Sequence, residues 1–471
     1  MIFSGEAKME ETQRLVPNKM GTMPIGKLLF SMALPIAISM LVQALYNVID
    51  SIFVAKLGED ALTAVSLAFP IQNVIIAIAV GTGVGVNSLL SKSLGQRNFD
   101  RANKVASNAL LLAIVNTAVV ALIGGLFARK YYEIQTDITS IVNMGTDYTV
   151  IVCVISVGVF FQVTFERLLQ ATGKTLLSMG MQLVGAVTNI VLDPIFIFGY
   201  LGAPAMGVKG AAVATVIGQI LSMLTGLVFN VCFNKEIKLS IKGMIPDGKL
   251  LAKIYKVAIP SMLMASITSV TVFGFNQILL AFNTEASLIG NTATSFLGIY
   301  FKLQSFVFMP VFGINNAMIP IVAYNFGAKQ KSRIWKTTKL SVIVAFCIML
   351  VGFIILQSMP RVMLTLFEAS EDMMSIGTVG LRVLSVSFLI AGFNIVMSGL
   401  FQAVGNAFYS LIMSLSRQII IALPVAWLLA KTGSIDNIWW SLTVAEALTL
   451  FFSLFFLAKT KKMINREIDD A

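Results

Sequence analysis

Apolar stretches long enough to cross a bilayer recur along this chain from Leu28 to Leu457, with only short polar breaks between them. A spanning helix needs about 20 largely apolar residues. On that scale the pattern predicts twelve helices, over 28–57, 62–92, 103–128, 140–168, 174–199, 207–232, 252–282, 287–323, 333–358, 374–401, 406–430 and 437–458. No run is left for a soluble catalytic domain. Composition agrees, since 57% of the 471 residues are hydrophobic and only 12% are charged, far from the balance of a soluble domain.

The polar breaks carry an orientation signal. If the chain starts inside, the inner breaks hold clusters such as Lys92, Arg97, Arg101 and Lys104, then Lys235 to Lys256, then Lys329 to Lys339, whereas the outer breaks hold few cations, Lys56, Arg129, Lys130, Lys209, Arg361 and Lys431. Basic residues are retained on the cytoplasmic side, so both termini are expected there and the helix count is expected to be even. The net charge of +11 is then a topology signal toward the lipid bilayer, with no nucleic-acid partner implied. Residues 1–27 mix Glu6, Lys8, Glu10, Glu11, Arg14 and Lys19 and lack the basic-then-apolar order of a signal peptide, so they read as a cytoplasmic tail.

The chain also repeats itself. A shift of 232 residues aligns Gly95 with Gly327, Arg101 with Arg333, Gly145 with Gly377, Gln170 with Gln402, Gly173 with Gly405 and Ser178 with Ser410. A shift of 225 aligns Ala33, Leu34 and Pro35 with Ala258, Ile259 and Pro260. The expected fold is an all-α integral membrane protein whose twelve transmembrane helices form two six-helix lobes, 28–232 and 252–458. A cytoplasmic linker, 233–251, joins them, and 459–471 forms a cytoplasmic C-terminal tail. Both lobes start on the same side, which makes the repeat parallel, with a cavity expected between the halves.

Several blocks in order resemble the multidrug and toxic compound extrusion (MATE) family: LYNVIDSIFVAKLGEDALTAVSLAFPI from Leu45, FERLLQATGK from Phe165, NIVLDPIFIFG from Asn189, GVKGAAVATVIG from Gly207 and PIVAYNFGAK from Pro320. The resemblance covers about Lys27 to Leu457. It implies an inner-membrane antiporter of twelve helices in two lobes that expels organic cations in exchange for protons or sodium. It implies no cofactor beyond that coupling ion.

Ionisable residues at membrane depth are costly and mark function by default. Asp50 lies near the outer end of the first helix, and Asp193 sits about 28 Å along the fifth, counted from Lys174 at 1.5 Å per residue. Both acids reach a similar depth. Asn189 is one turn before Asp193 on the same face. Pro194 removes a helix donor and opposes the carbonyl of Ile190. Thr215, about two turns into the sixth helix, can bring a hydroxyl to the same point, so Asp50, Asn189, Asp193 and Thr215 form a candidate oxygen cluster for a proton or sodium. The resemblance assigns coupling-cation binding to the same four positions. Gln43 and Tyr46, two turns and one turn before Asp50, are polar within an apolar run and are candidates for the substrate cavity.

The second half reads differently. Its seventh, eighth and tenth helices hold no acid, and Asn315 and Asn316 stand where some relatives place a carboxylate. Lys302, midway along the eighth helix, is expected to face a cavity or an acid, and with Asn316 it joins the cavity candidates. Arg417 and Glu446 lie near mid-depth on the last two helices and are expected to form a structural ion pair. Glu166, beside Arg167 at the inner end of the fourth helix, reads as a solvated or paired interfacial charge and not as a coupling residue.

Other chemistries find little support. There is no histidine, so proton chemistry rests on carboxylates. Cys153, Cys232 and Cys347 are scattered through apolar runs without disulfide or zinc spacing. The run GTGVGVN from Gly81 lacks the lysine and hydroxyl of a phosphate loop and reads as small residues for close packing. No nucleophile motif suggests an enzyme. The expected activity is therefore secondary active efflux of amphiphilic, mostly cationic organic compounds by a monomer. The alternative is a lipid-linked saccharide flippase, whose pyrophosphate would call for several cavity arginines.

Overall fold

The computed structural model describes residues 18–240, 243–283 and 288–469. The expected N-terminal tail lies outside these residues up to position 17, and so do residues 470 and 471 of the expected C-terminal tail. Among the described residues there is no strand. The helices that build the protein are α1 Ile25–Ala55, α2 Glu59–Gly95, α3 Phe99–Gln135, α4 Thr139–Val154, α5 Val157–Ala171, α6 Thr175–Phe198, α7 Val208–Phe233, α8 Gly248–Leu280, α9 Ile289–Gly327, α10 Lys331–Ser358, α11 Glu371–Ser385, α12 Phe388–Ala403, α13 Ala407–Ala430 and α14 Ile435–Asp469. Ten are each long and apolar enough to cross a membrane, and two bent pairs, α4 with α5 and α11 with α12, bring the number to twelve.

Those two pairs correct the expectation of unbroken helices over 140–168 and 374–401. The halves meet at 45° and 49°. Hydropathy runs straight across each break because the residues there stay apolar or small, whereas the cause lies in packing. A Cβ on Gly158, just past the first bend, would come within 3.0 Å of the Gln219 side chain and 3.2 Å of the Ile220 amide, so the bend presses the start of α5 onto α7. Gly392, after the second bend, is similarly close to Ala345 and Met349 of α10.

The internal repeat is visible in the backbone. Arg97 and Lys329, 232 residues apart, both have φ of 55°, and Gly173 and Gly405 have φ of 82° and 87°. Each residue ends a helix in the left-handed conformation and is followed by a long return bond. Asn98 N–H donates to Ser93 O at 3.0 Å and Gln330 N–H to Asn325 O at 2.9 Å. Lys174 N–H donates to Leu169 O at 2.7 Å and Asn406 N–H to Phe401 O at 2.8 Å. These are four Schellman-type stops at repeat-equivalent positions. The φ of Gly173 and Gly405, above 80° where Arg97 and Lys329 have 55°, lies further into the region that glycine adopts at least cost.

The chain forms two compact units. The first comprises Leu34–Met262 with the described residues before Pro24, and the second comprises Pro24–Ala33 with the chain from Leu263 onward. Within the first unit, small residues set the helix contacts. Gly81 and Gly85 of α2 abut Met262 and Ile254 of α8, and Gly83 abuts Arg167 of α5, which is how the glycines of the GTGVGVN run are used. The segment between α7 and α8 runs along the start of α3, with Lys238 N–H donating to Asn103 Oδ1 at 2.7 Å. Asp247 then caps α8, its Oδ1 accepting from the amides of Lys249 and Leu250 at 3.0 and 3.1 Å.

Candidate functional site

The first unit holds a polar site between α6, α7 and α1, and its geometry begins with a close helix contact. A Cβ on Gly218 would lie 2.8 Å from Gly185 O, and one on Gly185 would lie 2.9 Å from the Ser222 Cβ, so α6 and α7 approach nearly backbone to backbone. Ser222 secures the contact by donating to Met181 O at 2.8 Å. One turn from Gly185 stands Asn189, and just under a turn from Gly218 stands Thr215. Their side chains therefore meet: Asn189 Nδ2 donates to Thr215 Oγ1 at 3.3 Å and to Asp193 Oδ1 at 3.2 Å.

Asp193 is fully buried and Asn189 nearly so. Asp50 is half-buried on α1 and lies within electrostatic reach of Asp193. Among the described residues neither acid pairs with a lysine or arginine. Asp50 Oδ1, Asp193 Oδ2 and Asn189 Oδ1 are all enclosed without a hydrogen-bond partner. Leaving buried carboxylate oxygens unmatched is costly unless a proton or cation joins them. A cavity of about 30 Å³ adjoins Asn189 and Thr215, and Gln43, Tyr46, Gln162 and Gln219 are among the residues that line it. The structure thus brings Asp50, Asn189, Asp193, Thr215, Gln43 and Tyr46 into one neighbourhood.

Sequence reasoning missed several members of this neighbourhood. Tyr148 lies within electrostatic reach of both acids and accepts from Gln72 Nε2 at 2.7 Å. Gln162 and Gln219 join the cavity wall, and Gln219 Oε1 is itself buried without a partner. Their signal is the one used for Gln43, a polar residue inside an apolar run. Of the solvated and paired forms expected for Glu166, the structure takes the paired one. Glu166 is buried, accepts from Gln170 Nε2 at 2.7 Å, and Arg167 donates to the same glutamine at 3.0 Å. Gln170 links the two charges through its amide, a bridge that the adjacent residues alone do not reveal.

In the second unit Arg417 Nη1 lies 3.1 Å from Glu446 Oε1, with side chains 25% and 10% exposed. Glu446 Oε2 accepts from Asn394 Nδ2 at 2.7 Å, and Asn394 Oδ1 accepts from Ser453 at 2.6 Å. Three helices thus hold the carboxylate. Arg417 opens onto a cavity of about 290 Å³. Asn315 lines that cavity, whereas Asn316 and Lys302 do not. Lys302 is exposed on α9 and Asn316 is half-buried.

Among the described residues, up to twelve helices fit to span a membrane in two repeats, with enclosed acids and polar cavities, have the build of a membrane transporter. The comparisons make the class specific. The chain belongs to the MATE family, since the MatE family profile matches residues 35–195 and 268–428, once in each repeat. It is a transporter and not an enzyme. The chain is 26% identical over 442 residues to the multidrug export protein MepA of Staphylococcus haemolyticus, covering 94% of this chain and 95% of that protein. It is 26% identical over 426 residues to MepA of Staphylococcus aureus, covering 90% and 92%. Its fold matches a multidrug resistance MATE family transporter solved in an outward-facing conformation, with TM-score 0.88, 22% identity and coverage of 95% and 98%. A MOP superfamily transporter from Pyrococcus furiosus matches with TM-score 0.85 at 22% identity and the same coverage.

Proposed function

We propose that this protein exports small amphiphilic, mostly cationic organic compounds across the cell membrane in exchange for protons or sodium, by alternating access, with both termini cytoplasmic. One observation carries the reading: Asp50 and Asp193, on two helices long and apolar enough to span a membrane, are neighbouring acids with enclosed, unmatched oxygens and no basic partner among the described residues. Such a site favours a proton or a small cation. Neutral oxygens from Asn189 and Thr215 complete the set that sodium needs. For sodium the Asn189 amide must turn over, so that Oδ1 replaces the Nδ2 now directed at Asp193 and Thr215. For a proton it stays, and the carboxyls alone carry the charge change. Gln43 and Tyr46 place cargo-contacting groups next to the ion. The similarity to multidrug export proteins from two staphylococci supports export and a broad cargo range.

Efflux of an ethidium-like dye from vesicles containing the purified protein tests this directly. An imposed proton or sodium gradient should drive dye movement, and the effective gradient names the ion. Dye movement indifferent to both gradients would sink the proposal.

A further inference from the structure

We propose that the cavity of the second unit is a binding site for the carboxylate of an amphiphilic cargo, an apolar acid or zwitterion, received by the Arg417 guanidinium. This goes beyond the ion coupling of the first unit and does not depend on it.

The two cavities occupy equivalent places in the two repeats. The 232-residue shift carries Gln162 to Asn394, Gln182 to Ser414 and Gly185 to Arg417, and the 225-residue shift carries Gln43 to Thr268. The first residue of each pair lines the first cavity, and the second residue lines the second. The chemistry is changed at one decisive position. Where the first repeat has Gly185 and a backbone-close helix contact, the second has a guanidinium. The helix carrying it is wound as a π-helix over Ser416–Ala422, an irregularity associated with functional sites. The cavity there is about 290 Å³, against about 30 Å³ in the first repeat. The amide Asn189 and the acid Asp193 of the first repeat have no counterpart, as Ile421 and Val425 stand at those positions.

A pair with a purely structural role needs no cavity beside it. Glu446 takes one of the five guanidinium N–H donors, from Nη1. The carboxylate is itself fixed by Asn394, which Ser453 holds in turn, so the guanidinium is pre-oriented with the rest of its fork available. A planar guanidinium fork matches a carboxylate in a two-bond contact. Phe312, Met264 and Met413 supply apolar and adaptable wall for the body of the ligand. The cavity thus sets apolar wall beside convergent polar groups such as Asn315, Ser398 and Gln418, a combination that can hold and orient a small amphiphile.

The test is direct binding, which makes its failure separable from a failure of gradient-driven transport. The detergent-solubilised full-length protein is titrated calorimetrically with 1-naphthoate and, separately, with its neutral isostere 1-naphthamide, against blank micelles. Wild type should prefer the acid by about tenfold, the size of one charge-assisted hydrogen-bonded contact. Arg417→Gln should abolish that preference. Glu446→Gln should strengthen naphthoate binding, because it frees a donor and removes a like charge. Ser414→Phe, which fills the cavity beside the pair, should weaken both ligands. Equal wild-type affinity for acid and amide overturns the proposal by itself, even if the substituted proteins fail to fold. So does a preference that survives in a folded Arg417→Gln protein. Parallel loss in Glu446→Gln and Arg417→Gln would likewise reduce the pair to a purely structural one.

Discussion

Replacing Arg417 with methionine should destabilise the second unit more than replacing Glu446 with glutamine. The carboxylate is 10% exposed and the guanidinium 25%, so each substitution strands a charge in a different setting. Arg417→Met leaves an enclosed carboxylate with Asn394 as its remaining side-chain partner. Breaking a fully buried pair costs roughly 3 to 5 kcal/mol, and the lower end, about 3 kcal/mol, fits this partly open one. Glu446→Gln keeps an acceptor for Asn394 Nδ2 and strands a cation that already reaches a cavity, for about 1 to 2 kcal/mol. With both changes no uncompensated charge remains, and stability should return to within about 1 kcal/mol of wild type, a coupling of roughly 3 kcal/mol. Unfolding in graded denaturing detergent, followed by tryptophan fluorescence, measures all four corners of the cycle. The double variant should still export a cationic dye. Additive losses would refute the pair as a stabilising unit. A well-folded but inactive Glu446→Gln protein would mean that this carboxylate carries the coupling ion.

If sodium is the coupling ion, Thr215→Ala should weaken its binding about fivefold, the worth of one neutral oxygen, and an unchanged affinity in a radiosodium titration would remove Thr215 from the site. Gly218→Val should force α6 and α7 apart, with a loss of about 1 to 3 kcal/mol from overpacking, whereas Gly180→Ala should be neutral because its Cβ meets only the Phe229 ring edge at 3.4 Å; equal thermal stability of the two variants would contradict the contact argument. On the first unit's edge, Asn18 donates to the Glu236 carboxylate, and burial holds that carboxyl above its ordinary 4.5, against the pull of Asn18, Lys174 and Lys19. An acid whose folded pKa is raised stabilises the docked form below its free value and loses that contribution as pH rises through the raised value. Docking of the segment around Met20 should therefore loosen as pH climbs from 4.5 upward, and Glu236→Gln should flatten the response. Exchange protection of the Met20–Thr22 amides, corrected for intrinsic rates, would refute this by increasing over the same range.

Much of the architecture could be read from spacing alone. The 232-residue shift found through Gly173 and Gly405 reappears as a shared left-handed stop, because a conformation available cheaply only to glycine leaves a trace in sequence. Asn189 and Asp193 were paired by helical period, and the structure joins them by a hydrogen bond. What escaped is long-range. Asn394 looks like any polar residue in an apolar run, and only folding brings it to Glu446, 52 residues away. The bends at Ile155 and Val386 leave hydropathy unchanged, so no period records them. Asn315 rather than Asn316 lines the second cavity because adjacent residues on a helix point about 100° apart, and an uncertainty of one position decides the face. The Gln170 bridge between Glu166 and Arg167 has the i+3 and i+4 spacing of a helical surface network, yet burial, which the sequence did not reveal, turns it into an internal one.

The central claim is that Asp50 and Asp193 carry the exchange, and isosteric neutralisation tests it most directly. Wild type, Asp50→Asn and Asp193→Asn are reconstituted at matched density, and dye efflux is followed under the effective gradient identified for wild type. Each single variant should remain in the membrane and lose gradient-driven efflux, since it removes a titratable or cation-binding charge that no histidine can replace. Full gradient-driven efflux by both variants would contradict the account.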